Sequence, residues 1–118
     1  MSGGLLEPGL TTPTLDFHRA IASLQEELEA IDFYHQRVQL AASPELKAVM
    51  AHNRDDEMEH AAMLVEWLRR TMPEMDLQLK KFLFTTGDLP LLAKGLSGPS
   101  AGLGLGNLEA FAGQEKRP

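Results

Sequence analysis

Asn53-Arg54-Asp55-Asp56-Glu57-Met58-Glu59-His60 interrupts a helical pattern whose inner side is otherwise apolar. Stepping along that side gives Leu46, Met50, Asn53, Glu57, His60, Leu64 and Leu68. Steps of three or four residues keep them within one sector of a helix. Apolar residues hold both ends of the stripe, while an amide, a carboxylate and an imidazole hold its middle. A lone buried carboxylate is very costly unless it is paired or bound to metal. Glu57 and His60 lie three apart and reach the same point beside the helix. Carboxylate oxygen with imidazole nitrogen is a ligand set that suits iron, zinc or manganese. A plain Glu–His hydrogen bond inside a bundle fits the same pattern, and this helix alone does not separate the two readings.

Upstream, Phe17, Ile21, Leu24, Leu28, Ile31, Tyr34 and Val38 form a second apolar stripe. It predicts a helix starting near Thr14 or Asp16 and ending at Ala41-Ala42, roughly 28 residues and about 40 Å long. Ser43-Pro44-Glu45 then opens the helix that carries the quoted stretch: Ser caps, Pro takes the first turn, and Glu complements the dipole. Met72-Pro73 stops that helix near Thr71. Pro73-Glu74 begins a shorter third helix through Leu77, Leu79 and Phe82 to near Leu83. A two- or three-residue connection forces the long helices into an antiparallel hairpin. Such a hairpin does not cover its own apolar faces, and the third helix is too short to shield them. The expected fold is therefore all-α: a two-helix hairpin plus a short third helix, dimerising about a twofold axis into a four-helix bundle.

The chain has 118 residues, which bounds it to one small domain. All ten glycines fall at positions 3–9 or 87–113, so the helical part contains none. Residues 1–13 read as a flexible arm, 14–84 as the helical domain, and 85–102 as a linker spanning on the order of 20–25 Å as a coil. Residues 103–118 form a tail in which Leu103-Gly104-Leu105-Gly106-Asn107-Leu108 alternates Leu with Gly. That pattern makes poor helix and poor core, but suits an extended peptide pressing Leu side chains into pockets on another protein; a degenerate tail is the plainer alternative. Of the net charge of −6, the helical part carries −5 and Glu7 in the arm the rest, because residues 85–118 balance three acids with three bases. This argues against nucleic acid and anionic membrane as partners and favours cations. With no cysteine, disulfides, iron–sulfur clusters and thiol catalysis are excluded. No apolar run approaches the roughly 18 residues of a membrane span, and no signal-like N-terminus is present, so a soluble cytoplasmic protein is expected.

Projected at 100° per residue, Glu27 falls on the apolar side of the first helix with Leu24, Ile31 and Tyr34, whereas Glu26, Glu29 and Phe33 fall opposite. One chain thus supplies one inward Glu and one Glu-x-x-His. A twofold dimer supplies two of each, the inventory of a carboxylate-bridged di-iron bundle. Four carboxylates balance two divalent ions; without metal they would repel and take up protons. Glu26 and Glu29 read as solvated decoration or as an outer site that collects cations. Tyr34, one heptad beyond Glu27, offers its hydroxyl to the same region. His35 reads as a hydrogen-bonded histidine at the bundle end, and His18 and His52 as surface or capping residues. An ordinary helical dimer, with the inward Glu and His fixing register, is the reading without chemistry.

Glu26-Glu27-Leu28-Glu29 with Tyr34, followed by Glu57-x-x-His60-Ala61-Ala62-Met63-Leu64, resembles the encapsulated ferritins, two-helix half-ferritins carried as cargo inside encapsulin nanocompartments. The resemblance runs from about Thr14 to Thr86 without a gap. The Leu103-to-Leu108 tail is similar to the Leu- and Gly-rich peptides that load cargo into encapsulin shells, with Asn107 where Ser is usual and Glu109 where Lys is common. Phe33 stands where a Trp is frequent. The resemblance implies a ring-shaped decamer of paired hairpins and a di-iron ferroxidase centre across each dimer interface. It implies Glu27, Glu57 and His60 as iron ligands, Tyr34 near the centre, and Glu26 and Glu29 at outer metal positions. The expected function is oxidation of Fe(II) to Fe(III) by dioxygen, with the mineral collecting in a cytoplasmic encapsulin shell for iron storage. A peroxide-reducing or manganese-bound bundle is the rival on the same centre.

Overall fold

The computed structural model describes residues 6–96. Four helices follow in order: α1, Thr12–Leu40; α2, Pro44–Thr71; α3, Pro73–Phe82; and α4, Leu89–Ala93. The described residues contain no strand. The chain divides into two compact units, Met1–Thr71 and Met72–Pro118.

In the first unit, α1 and α2 pack side by side along their lengths as an antiparallel hairpin. α1 begins two residues before the Thr14 start read from the sequence, because Thr11 is the cap. Its hydroxyl accepts from Thr14 N at 3.3 Å, and Pro13 occupies the first turn, where its missing N–H costs nothing. At the other end Ala41 N donates to Arg37 O, and Lys47 Nζ reaches back from α2 to donate to Val38 O at 3.0 Å. A cation on the open carbonyls of a helix end both satisfies them and opposes the dipole. α2 opens as expected, with Leu46 N donating to Ser43 Oγ at 3.2 Å. Near its far end, Glu66 accepts from Arg69 and Arg70 at 2.7–2.8 Å, and these guanidinium bonds hold its carboxyl down at about 2.

The hairpin buries little. Only Ala20, Ala61 and Leu68 are buried among the described residues, and Leu68 alone is nearly sealed, at 1% exposed. Two small residues and one Leu along the seam let the helices approach closely. Phe33, Leu46, Val49, Met63 and Trp67 stay substantially exposed, and Leu40 is 84% exposed. Leu28, expected in the inner stripe, is also exposed. It flanks the line that faces α2, a position two helices alone do not cover.

In the second unit, α3 carries Glu74 and Asp76 in its first turn and Lys80 and Lys81 in its last, matching the dipole at both ends. The stretch read as an irregular linker contains a helical turn, α4. Asp88 caps it by accepting from Leu91 N at 3.1 Å, Pro90 sits in the first turn, and Gly95 leaves it at φ 80°. Lys81 Nζ donates to Ala93 O at 2.9 Å and ties α4 to α3. The Leu103-to-Leu108 tail lies outside the described residues.

Candidate metal centre

Near the middle of the hairpin, three side chains from the two helices converge. Glu27 projects from α1 toward α2, on the side that also carries Ala20 and Ile31. Glu57 and His60 project from α2, one turn apart. His60 Nδ1 lies 3.2 Å from Glu57 Oε1 and 3.4 Å from Glu27 Oε1. One donor atom from each residue falls within 4.8 Å of the other two, the only such trio of His, Asp and Glu donors among the described residues. Both carboxylates are about three-quarters covered (24% and 25% exposed), while the imidazole is 48% exposed on the open side of the hairpin.

Glu27 Oε1 is buried and accepts no hydrogen bond of good geometry. His60 Nδ1 carries at most one proton, and Glu57 Oε1 is the nearer acceptor. The electrostatics record the same shortage of positive charge. Hydrogen bonding with Glu57, and then burial, push Glu27 above the ordinary carboxylate range, while the bond to Glu27 holds Glu57 below it. The hydrogen bond that His60 donates to Glu57 raises the imidazole above its usual value. A divalent cation at the meeting point would satisfy the orphaned oxygen and supply the positive charge that the pair lacks. The donor set, two carboxylates and one imidazole, fits iron, zinc or manganese.

The remaining sequence-derived candidates fall as follows. Tyr34 is half-buried two turns along α1, with the Arg37 guanidinium 5.4 Å from its ring centre. Glu26 and Glu29 are exposed and do not join the trio. His35 is exposed and takes Arg54 Nη1 at 3.1 Å, so its Nδ1 serves as acceptor toward an always-charged partner. Arg54 was invisible as a partner in the sequence, because its contact depends on the register between antiparallel helices. His52 pairs with Asp56 at 3.3 Å on the outer face of α2, as a surface histidine should.

A helical hairpin with an inward Glu on one member and Glu-x-x-His on the other defines a ferritin-like helical protein. More narrowly, the chain belongs to the EncFtn-like family, whose model matches residues 6–86. It is 42% identical to an encapsulated ferritin-like protein of Rhodospirillum rubrum, with 92% of this chain and 89% of that one aligned. A ferritin-like protein of Thermotoga maritima is 47% identical over 80% of this chain and 83% of its own. A Myxococcus xanthus encapsulin nanocompartment cargo protein matches over half of this chain, at 32% identity and 45% of its own length. The crystal structure of a Nitrosomonas europaea protein superposes with a TM-score of 0.70 at 56% identity, covering 73% of this chain and 97% of that one. No helix among the described residues is long and apolar enough to cross a membrane.

Proposed function

We propose that this protein is a ferroxidase that oxidises Fe(II) to Fe(III) at a two-iron site shared between two copies of the hairpin, as cargo of an encapsulin shell. The observation that carries the reading is the orphaned Glu27 Oε1 beside Glu57 and His60. One chain provides half of the ligand inventory of a carboxylate-bridged pair of irons, and a twofold axis through the half-open His60 side provides the rest.

Iron is the substrate here: a pair of ferrous ions supplies two electrons, which dioxygen accepts. The chain's residues bind, orient and neutralise. Glu57, the more acidic carboxylate, presents negative charge to an arriving cation. Glu27 and His60, whose raised values favour their protonated forms, bind the ion only once deprotonated. The packed seam holds the two backbones at fixed separation, so the donors meet without rearrangement. Tyr34 borders the centre from α1, and Glu26 and Glu29 serve as outer collecting positions. The Leu103-to-Leu108 segment docks the protein into the shell, which places it in the cytoplasm inside a nanocompartment. The names of the Rhodospirillum rubrum and Myxococcus xanthus relatives support this last step.

The deciding experiment measures iron bound and Fe(II) oxidised by protein prepared with iron. Iron retained with accelerated Fe(II) consumption supports the reading. Protein that binds no iron and leaves the rate at background would make the hairpin a structural dimer. Faster peroxide reduction than dioxygen consumption would make it a peroxidase-type bundle.

A further inference from the structure

The turn end of the hairpin holds a groove of about 440 Å³ whose wall is formed by Phe33, Arg37 and Leu40 of α1 with Leu46 and Met50 of α2. A recess of several hundred cubic ångströms with an apolar lining and one charged group is of the size that takes an aromatic body. At the opposite end of α2 stands Trp67, the chain's one tryptophan, 39% exposed. Recess and ring stand in a fixed relation to the site. Met50 lies one heptad before Glu57, and Trp67 lies one heptad after His60. Each is therefore about 10 Å from a ligand along the axis, and within about 20° of it around the helix. Along the axis they stand at equal distances either way from the middle of the Glu57-to-His60 turn, and around α2 they are about 100° apart, with Trp67 on the side that carries His60.

A twofold interface needs a patch that complements itself, so that residue i of one copy meets j of the other and j meets i. A recess and a protruding ring equidistant from a centre meet that requirement when the axis passes through the centre perpendicular to the helices. An axis along the helices would instead set groove against groove, bringing the two Arg37 guanidinium groups together and leaving each recess without a filler. We infer that the groove is the seat of Trp67 from a second copy of this chain, and that the two such contacts clamp the shared metal site from both ends. Arg37, already over the face of Tyr34, then has a second ring within its reach, where a guanidinium is favourable.

This inference rests on the reading of the site as shared between two copies, and it adds which surfaces meet and in what orientation. The absence of cysteine gives a clean test. Full-length Trp67→Cys and Met50→Cys chains are mixed with Fe(II) under argon and then treated with a short bis-maleimide. The mixture should cross-link many-fold faster than either variant alone, giving a 50–67 bond by peptide mapping. In the unsubstituted chain, acrylamide quenching of Trp67 should fall several-fold as sedimentation shows the mass doubling. Circular dichroism of both variants confirms that the helices form. Cross-links between two Trp67→Cys chains, or a Trp67 that stays equally quenchable in the doubled species, would overturn the inference. Either result with Fe(II) oxidation intact leaves the proposed reaction standing, whereas the 50–67 bond in a protein that does not oxidise iron removes the reaction and leaves the interface.

Discussion

Glu27 Oε1 of α1 and His60 Nδ1 of α2 lie 3.4 Å apart across the hairpin, with Glu57 Oε1 at 3.2 Å from the same nitrogen. One imidazole nitrogen thus faces two carboxylates with at most one proton to share. The carboxylate on α1 is left with a buried oxygen that accepts nothing. That imbalance is costly for a free protein and useful for one that takes up a cation, because the unpaired lone pairs are already aimed at one point.

Removing a donor should separate binding from folding. Glu27→Ala, Glu57→Ala and His60→Ala are each expected to weaken iron binding by at least about 10–100-fold, and to abolish most Fe(II) oxidation, with the helical circular-dichroism signal retained. Glu27→Ala should also raise the melting temperature of the metal-free protein, because it deletes a carboxylate crowded by another. Glu26→Ala and Glu29→Ala should affect uptake far less, since both side chains are exposed and outside the trio. A His60→Ala protein that oxidises iron at the parent rate would remove the ligand assignment.

Stoichiometry follows from the half-inventory. Iron should saturate near one ion per chain, and the metal-bearing species should contain an even number of chains by sedimentation. Two tightly held irons in a single isolated chain would contradict a shared site.

Acid should weaken the metal and favour the metal-free protein. Glu27 and His60 both have folded values raised above their usual 4.5 and 6.5. Their contribution to metal-free stability is therefore complete below those values and is lost as pH rises through the folded ones. Metal binding has the opposite sign, because the same protons must leave. Thermal melts of metal-free protein should fall as pH climbs from about 4.5 to above 6.5, since the lowered Glu57 and Glu66 act with the opposite sign only below that range. Glu27→Gln should flatten that slope, and iron affinity in the parent should rise across it. A metal-free melting temperature that increases through this window would contradict the arrangement of protons at the site.

The tail should be separable from the chemistry. Deleting residues 103–118 should leave helicity and Fe(II) oxidation unchanged and abolish co-purification with an encapsulin shell expressed alongside. Leu103, Leu105 and Leu108 would each contribute roughly 1.5–3 kcal/mol in shell pockets before the ordering cost. Replacing the three with Ser should act like the deletion. If the deleted protein is still packaged, the targeting surface lies elsewhere on the chain.

Much of this protein was legible in one dimension. The apolar stripes through Phe17, Ile21 and Leu24 and through Leu64 and Leu68, with Ser43-Pro44-Glu45 between them, determine two long antiparallel helices. Helical period and a three-residue turn leave the chain no other way to bury those faces. The same periodicity placed Glu27, Glu57 and His60 on inner sides. Helical spacing within one element reports direction, but not depth or register against another. The tertiary structure alone decided that Thr11, not Thr14, caps α1, and that Asp88 folds a helical turn within the expected linker. It alone matched His35 with Arg54 and left Leu28 at the margin of the seam. It also decided that the donors on α1 and α2 meet at one point with one carboxylate oxygen unsatisfied. That last fact depends on how far the two backbones approach, which Ala20, Ala61 and Leu68 set by packing across the seam.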